Sequence, residues 1–501
     1  MAPETSSGSL SDKTGVLDVA IIGAGLSGIC LAVKLKDAGI DRFVLFEKAG
    51  EIGGTWRDNT YPGVACDVPS HLYSFSFAPK TDWSRRYAGQ AEIRAYIEEV
   101  ARRWDLHRHL RLNTELIEAR FDGTAGLWRL KGGDGRTFAA RALVSGCGQL
   151  NRPQIPDLPG REIFAGRQFH SARWDHRYDL AGKRVAVIGN GASAVQFIPE
   201  IAAKAARLHV FQRTANWIVP RDDRAYGDRA RWIFRHVPGA ARLLRYLIYW
   251  SFEARFVAFA PDTRASRLAQ GMALKHLHRQ VADPRLREIL RPDYPIGCKR
   301  ILISDDYYPA LQRPNVELVT APIERLTPDG IVTADGAARP VDAVIYATGF
   351  QSTSFLAPLE LIGTGGAPIA DTWRRGAEAH LGIAVPGCPN FFMMYGPNTN
   401  LGHNSIIFMI ECQADYILAC LTKLLGGGGV AAIEVTEEAM ARYRKRLDRE
   451  MAGVVWAAGC RSWYKTAEGR ITNNWPGFTV QYWWRTRRPD FAAFRLSYRP
   501  R

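Results

Sequence analysis

Val16-Leu17-Asp18-Val19-Ala20-Ile21-Ile22-Gly23-Ala24-Gly25-Leu26-Ser27-Gly28 is the stretch that decides the fold. An apolar run of strand length ends in a glycine turn, and residues 29–38 then keep helical spacing. A second apolar run, residues 43–46, stops at Glu47. Strand, turn, helix, strand and acid, in that order, make the βαβ unit that binds a dinucleotide. Gly23 permits the tight turn, Gly25 lets the backbone approach a pyrophosphate, and Gly28 lets helix and strand pack closely. Free N–H groups at the helix start would hold the phosphates, and Glu47 would accept hydrogen bonds from ribose hydroxyls. A lone G-x-G-x-x-G arises by chance; its place in this order gives it weight.

The same grammar returns downstream. Residues 184–188 read as strand, Gly189-Asn190-Gly191-Ala192-Ser193-Ala194 as turn, 195–205 as helix and 208–212 as the next strand. Ala194 replaces the third glycine, which the pattern tolerates. No acid follows the second strand. Gln212-Arg213-Thr214 stand there instead, and Arg213 would pair with a 2′-phosphate that an acid would repel. The second dinucleotide is therefore expected to be NADPH, the alternative being that Arg213 is a plain surface arginine. Two such sites in one chain imply a hydride passing from nicotinamide to flavin. A disulfide reductase would need a redox-active cysteine pair. The eight cysteines contain no C-x-x-C, which leaves dioxygen as the acceptor to expect. Their scatter also gives no zinc-ligand spacing, so no metal site is expected, and they read as reduced thiols of a cytoplasmic protein.

The chain is 47% hydrophobic and 23% charged, the balance of a soluble globular protein with a substantial core. Its net charge of +16 would suit a nucleic-acid binder, but the zinc-finger spacing, RNP-like stretch and dense basic block are missing. Two anionic dinucleotides and a soluble surface account for the excess, and no nucleic-acid partner is expected. Residues 1–15, polar and small, are expected to be a disordered arm and lack the apolar core of a signal peptide. The most apolar later stretch, 243–260, is interrupted by Arg245, Glu253 and Arg255, so a transmembrane span is not expected. Residues 151–160 are proline-rich and read as a domain crossing. From 221 to 295 the pattern turns helical and rich in Arg, Leu, Trp and Tyr. This insertion reads as a cap over a cleft, with peripheral contact to a membrane surface as the alternative.

The segment Phe164-Ala165-Gly166-Arg167-Gln168-Phe169-His170-Ser171-Ala172-Arg173-Trp174-Asp175 resembles the fingerprint F-x-G-x-x-x-H-x-x-x-W-[P/D] of Baeyer–Villiger monooxygenases. Phe164, Gly166, His170, Trp174 and Asp175 meet every fixed position, just upstream of the second turn. By composition alone His170 would be a packed, hydrogen-bonded histidine; the family uses it as a hinge or cofactor-positioning residue. The resemblance covers nearly the whole chain. Gly53-Gly54-Thr55-Trp56 and Tyr61-Pro62-Gly63-Val64-Ala65-Cys66-Asp67 are similar to the family's flavin-embracing loop, and Tyr73 falls in the same stretch. Lys299-Arg300, followed by Asp305-Asp306-Tyr307-Tyr308, resembles the segment carrying the active-site arginine. Ala347-Thr348-Gly349 resembles the interdomain linker, and Ser462-Trp463-Tyr464 the mobile loop whose tryptophan closes over NADP⁺.

The resemblance implies an α/β fold of two Rossmann-like domains, binding FAD and NADPH, with a helical insertion. The FAD-binding domain would take residues 14–152 and 383–501, and the NADPH-binding domain 153–222 and 299–382, the latter with the linker. The insertion would span 223–298. The implied reaction uses NADPH and dioxygen to convert a small-molecule ketone to an ester or lactone through a C4a-peroxide of the flavin. Arg300 would be catalytic, with Asp67 orienting it, and Lys299 would contact the 2′-phosphate; charge balance among local acids is the other reading of Arg300. A monomer or weak dimer is expected. The nearest rival is an N- or S-oxygenating flavin monooxygenase acting on amines or sulfides, against which Trp174-Asp175 and the Lys299-Arg300 segment argue.

Overall fold

The computed structural model describes residues 15–460 and 462–499, so residues 1–14 of the expected arm lie outside the described residues. The decisive stretch folds as the strand Leu17–Ile22, a glycine turn, the helix Leu26–Asp37 and the strand Phe43–Phe46. Leu17–Ile22 pairs in parallel with Phe43–Phe46 on one side and Thr137–Ser145 on the other. Its last four residues are buried, as a parallel strand covered on both faces requires. An antiparallel meander of Leu116–Asp122, Leu127–Gly132 and Thr137–Ser145 extends this sheet, and Phe391–Met393 also pairs with Thr137–Ser145. The sheet resumes earlier than the expected boundary at 383. Glu360–Ile362, placed by the sequence reading in the second domain and linker, pairs in parallel with Leu116–Asp122.

The second turn belongs to a five-stranded parallel sheet in the order Val316–Val319, Arg207–Phe211, Arg184–Ile188, Ala343–Tyr346, Arg167–His170. Its helix is Ala192–Ala202. The fingerprint thus supplies the edge strand of the sheet that carries the second turn. Two chain crossings join the sheets and pair with each other. The Gln154 N–H donates to the Gly349 carbonyl (2.8 Å), the Gln351 N–H to the Arg152 carbonyl (2.9 Å), and the Thr348 hydroxyl to the Gln154 carbonyl. The proline-rich stretch and the expected linker are two strands of one paired crossing.

The insertion contains the helices Asp228–His236, Ala240–Ala254, Arg264–Gln280 and Pro284–Leu290. No helix among the described residues is long and apolar enough to cross a membrane. The expectation that every cysteine is reduced is corrected: Cys298 and Cys460, 162 residues apart, form a disulfide, while six cysteines are free. Spacing along the chain gives no sign of a pair that only packing brings within bridging distance.

Candidate active site

A cleft of about 1110 Å³ lies between the two sheets' glycine turns. All the residues expected to bind cofactor line it except Gly28 and Ala194, and both expected catalytic residues, Asp67 and Arg300, line it too. Gly28 and Ala194 work behind the cleft. A Cβ on Gly28 would overlap the Gly23 carbonyl oxygen, and Ala194 is fully buried in the second core.

The backbone tests whether two dinucleotides fit. Gly25 and Gly191 are the N-caps of their helices, neither has a side-chain cap hydrogen bond, and neither helix has an acid in its first turn. Both helix ends therefore present unpartnered N–H groups and a favourable dipole to an anion. A Cβ on Gly191 would meet nothing within 4 Å, whereas one on Gly25 would lie 3.6 Å from the Gly54 Cα. The first cradle is thus two glycine backbones face to face; the second is open. Both fit a pyrophosphate.

Around the first turn Glu47 is 4% exposed. Its carboxylate accepts the Ala24 and Ala49 N–H groups, each at 3.0 Å, and pairs with Arg57 at 2.9 Å. Trp56 donates its indole N–H to the Tyr73 hydroxyl (3.1 Å), and Thr55 opens the short helix Thr55–Asp58 beside Gly54. Around the second turn the Asn190 amide donates to Gln212 Oε1 and to the Thr214 carbonyl, each at 2.9 Å, which ties the turn to the next strand's end. Lys299 Nζ donates to the Thr214 hydroxyl (2.8 Å) and lies 4.3 Å from the centre of the Tyr294 ring. Burial, then the Arg213 charge, lower the Lys299 pKa. Two cations gathered with a hydroxyl, and no acid at the strand's end, make an anion pocket.

Arg300 Nη2 donates to Asp67 Oδ2 at 2.9 Å. The other oxygen of Asp67 accepts from the Gln196 amide at 3.1 Å. Burial works against the charge on Arg300, but its neighbours, Asp67 foremost, together more than offset it and hold the guanidinium pKa above its ordinary value. Gln196 is a residue the sequence reading missed. It sits on the helix of the second turn, and its amide also donates to the Ala65 carbonyl (3.0 Å) and accepts from the Tyr61 hydroxyl (3.1 Å). One side chain of the second sheet's helix thus fixes the loop of the first. Its only sequence signal was its place two residues past the turn. Trp463 lines the cleft, its carbonyl accepting from Ser352 Oγ and Asn473 Nδ2, both at 3.0 Å. The Cys298–Cys460 disulfide is not among the cleft-lining residues.

None of the five fingerprint residues lines the cleft. A Cβ on Gly166 would come within 2.5 Å of the Phe164 ring, so that glycine makes room for Phe164 in the core. Trp174 packs against Phe169 and Phe197, both at 5.2 Å, clamping the edge strand onto the helix Ala192–Ala202. Asp175 accepts from Arg167 Nε at 2.7 Å. His170 is 3% exposed; its Nδ1 accepts the Ala172 N–H, and its ring meets Phe350 of the crossing edge-on at 5.8 Å. Burial lowers its pKa to about 4. It is a neutral, packed residue beside the paired crossing.

The flavin-binding monooxygenase-like family model matches residues 17–359. A Baeyer-Villiger monooxygenase of Pseudomonas aeruginosa is 44% identical over 484 residues, covering 96% of this chain and 92% of that one. The chain belongs to the flavin-binding monooxygenase-like family, among its Baeyer–Villiger monooxygenases. Solved monooxygenases superpose along its length. A cyclohexanone monooxygenase from Rhodococcus sp. Phi1 bound to NADP⁺ is 28% identical with a TM-score of 0.86, covering 97% of this chain and 100% of that one. An oxidized steroid monooxygenase bound to NADP is 31% identical, with a TM-score of 0.85 and the same coverage. This Baeyer–Villiger chain therefore shares their fold throughout.

Proposed function

We propose that this chain converts ketones to esters or lactones with NADPH, dioxygen and bound FAD, and that Arg300 makes the cleft reactive. The observation that carries the reading is the 2.9 Å Arg300–Asp67 pair, set between two dinucleotide cradles. NADP in the solved relatives supports the nicotinamide cofactor, and the cationic pocket of Arg213 and Lys299 favours its phosphorylated form. The first turn, Glu47, Gly54, Thr55, Trp56 and Tyr73 would hold FAD; the second turn with Arg213, Thr214 and Lys299 would hold NADPH. Bound FAD, once reduced by NADPH, supplies the oxygen to be transferred by reacting with dioxygen.

The chain's own part is charge and position. Arg300 keeps its proton at every working pH, so it acts through its field rather than as a base. A fixed cation stabilises the negative oxygen that develops when a ketone carbonyl is attacked. Asp67 holds that cation through one carboxylate oxygen while Gln196 donates to the other, so its orientation is set before substrate arrives. Trp463 would close water out of the same space.

The test is oxygen uptake by the purified flavoprotein with NADPH over cyclic, linear, aryl and steroid ketones, with product masses measured. A product one oxygen heavier and identified as an ester is expected. Conversion of amines or sulfides alone, with every ketone untouched, would sink the reading.

A further inference from the structure

The helix Ala240–Ala254 has two apolar faces, and only one of them is used inside the protein. On the inner face Tyr249 and Phe252 are buried with Leu72, and Arg245 Nη1 donates to the carbonyls of His71, Leu72 and Ser74 at 2.7–3.0 Å. That grip fixes the backbone on either side of Tyr73, a cleft residue. Glu253, buried at the helix end, accepts from the Thr479 hydroxyl (2.7 Å) and the Val480 N–H (3.0 Å). The helix Thr479–Thr486 is thereby bound to it.

The outer face is a stripe at helical spacing: Leu243, Tyr246, Leu247 and Trp250 are 55–61% exposed. Val257, in the 3-10 turn Arg255–Phe259 that follows the helix, is 51% exposed, and Trp484 on the neighbouring helix is 61% exposed. Lone exposed apolar residues are ordinary, but a contiguous row of leucines and aromatics marks a binding surface. The insertion's charge is one-sided. Residues 221–295 carry fifteen Lys and Arg against eight Asp and Glu. Arg229, Arg242, Arg264 and Arg267 are exposed and form no ion pair with any described residue.

We propose that this face docks on an anionic lipid surface, with Leu243, Leu247 and Trp250 entering the headgroup boundary and the unpaired arginines meeting lipid phosphates. Tryptophan and tyrosine prefer that boundary, where an apolar ring and a polar tip are both satisfied. An amphipathic helix with basic flanks lies in the plane of the surface, which needs no spanning helix. Arginine pairs with phosphate through its forked donors, and each basic residue near an anionic leaflet adds to binding. A second copy of the chain fits the face less well, because two net-positive insertions would meet.

The experiment is cosedimentation of the full-length flavoprotein with vesicles of phosphatidylcholine alone or with about 30% phosphatidylglycerol. The wild type is expected to bind the anionic vesicles at least about tenfold better, and to be released by salt. The double variant Leu247→Ser, Trp250→Ser should lower that binding about tenfold. Its flavin content and its rate of reduction by NADPH should match the wild type, since neither residue touches the cleft. Three results would each overturn the proposal: no binding to either vesicle, equal binding by wild type and variant, or a wild-type dimer made monomeric by the variant with vesicles left unbound.

Discussion

The two glycine turns share a pattern and differ in their surroundings. The leading glycine is closed in at both, a Cβ on Gly23 (φ +95°) lying 2.9 Å from the Gly146 carbonyl oxygen and one on Gly189 (φ +106°) 2.5 Å from the Ala347 carbonyl oxygen; at the first turn Gly25 also faces the Gly54 backbone. Glu47 is already engaged by Ala24, Ala49 and Arg57. At the second, Gly191 opens on free space, an alanine stands in the third position, and the floor is Thr214 and Lys299. On the proposed reading the first holds a resident cofactor and the second one that comes and goes. The motif provides a cradle; the loops packed against it decide how tightly the cradle is shut.

Four perturbations break or sharpen that contrast. The largest effect is expected from Gly28→Ala, whose Cβ has only the Gly23 backbone to displace. Such overpacking costs about 1–3 kcal/mol or more, and the purified protein should be largely stripped of flavin absorbance; full flavin content would show that the first turn is not closed. Next, Arg213→Ala with Lys299→Ala should lower kcat/KM for NADPH about 100-fold and leave NADH nearly unchanged, as expected from removing charge-assisted contacts to one phosphate. Equal losses with both cofactors would place the 2′-phosphate elsewhere.

A third test concerns His170, which packs beside the paired crossing and is not an acid or base. Its pKa drops to about 4 in the folded protein through burial. Below the ordinary 6.5 the unfolded chain takes up a proton that the folded chain refuses until about pH 4, so stability falls as pH drops through that window. His170→Asn should remove on the order of 2 kcal/mol of that acid-side loss in denaturant titrations. His71 and His380, lowered to about 4 in the same way, will keep the rest. An unchanged slope would place a charged histidine at 170. The smallest effect is expected from Gly191→Ala: unchanged flavin content, and a KM for NADPH raised about tenfold where the new methyl meets the pyrophosphate. A variant that loses flavin instead would reverse the two turns.

Much of this was legible because it depends on local order. Strand, turn and helix follow one another along the chain at both turns, and the fingerprint is a continuous segment whose residues turn out to be packing residues around Trp174 and Phe164. What the sequence hid depends on distant residues meeting. Glu360–Ile362 carries no sign that it will pair with Leu116–Asp122. Gln196 reads as an ordinary helix position until Tyr61, Ala65 and Asp67 arrive around it. The Cys298–Cys460 bond joins residues just before Lys299 and just before the Trp463 loop, a proximity that spacing cannot express. Exposure was left open: the insertion read as a cap, with contact to a membrane surface as the alternative, and only packing shows that Leu243, Tyr246, Leu247 and Trp250 stay outside.

The most direct test of the account is Arg300→Ala followed in two separated half-reactions. Anaerobic mixing with NADPH should still bleach the flavin within a few-fold of the wild-type rate, while ester formation from a ketone substrate falls about 100- to 1000-fold, as for loss of a donor that stabilises a developing oxyanion. Ester formation at a near wild-type rate would contradict the claim that the cation held by Asp67 makes this cleft an oxygen-inserting site.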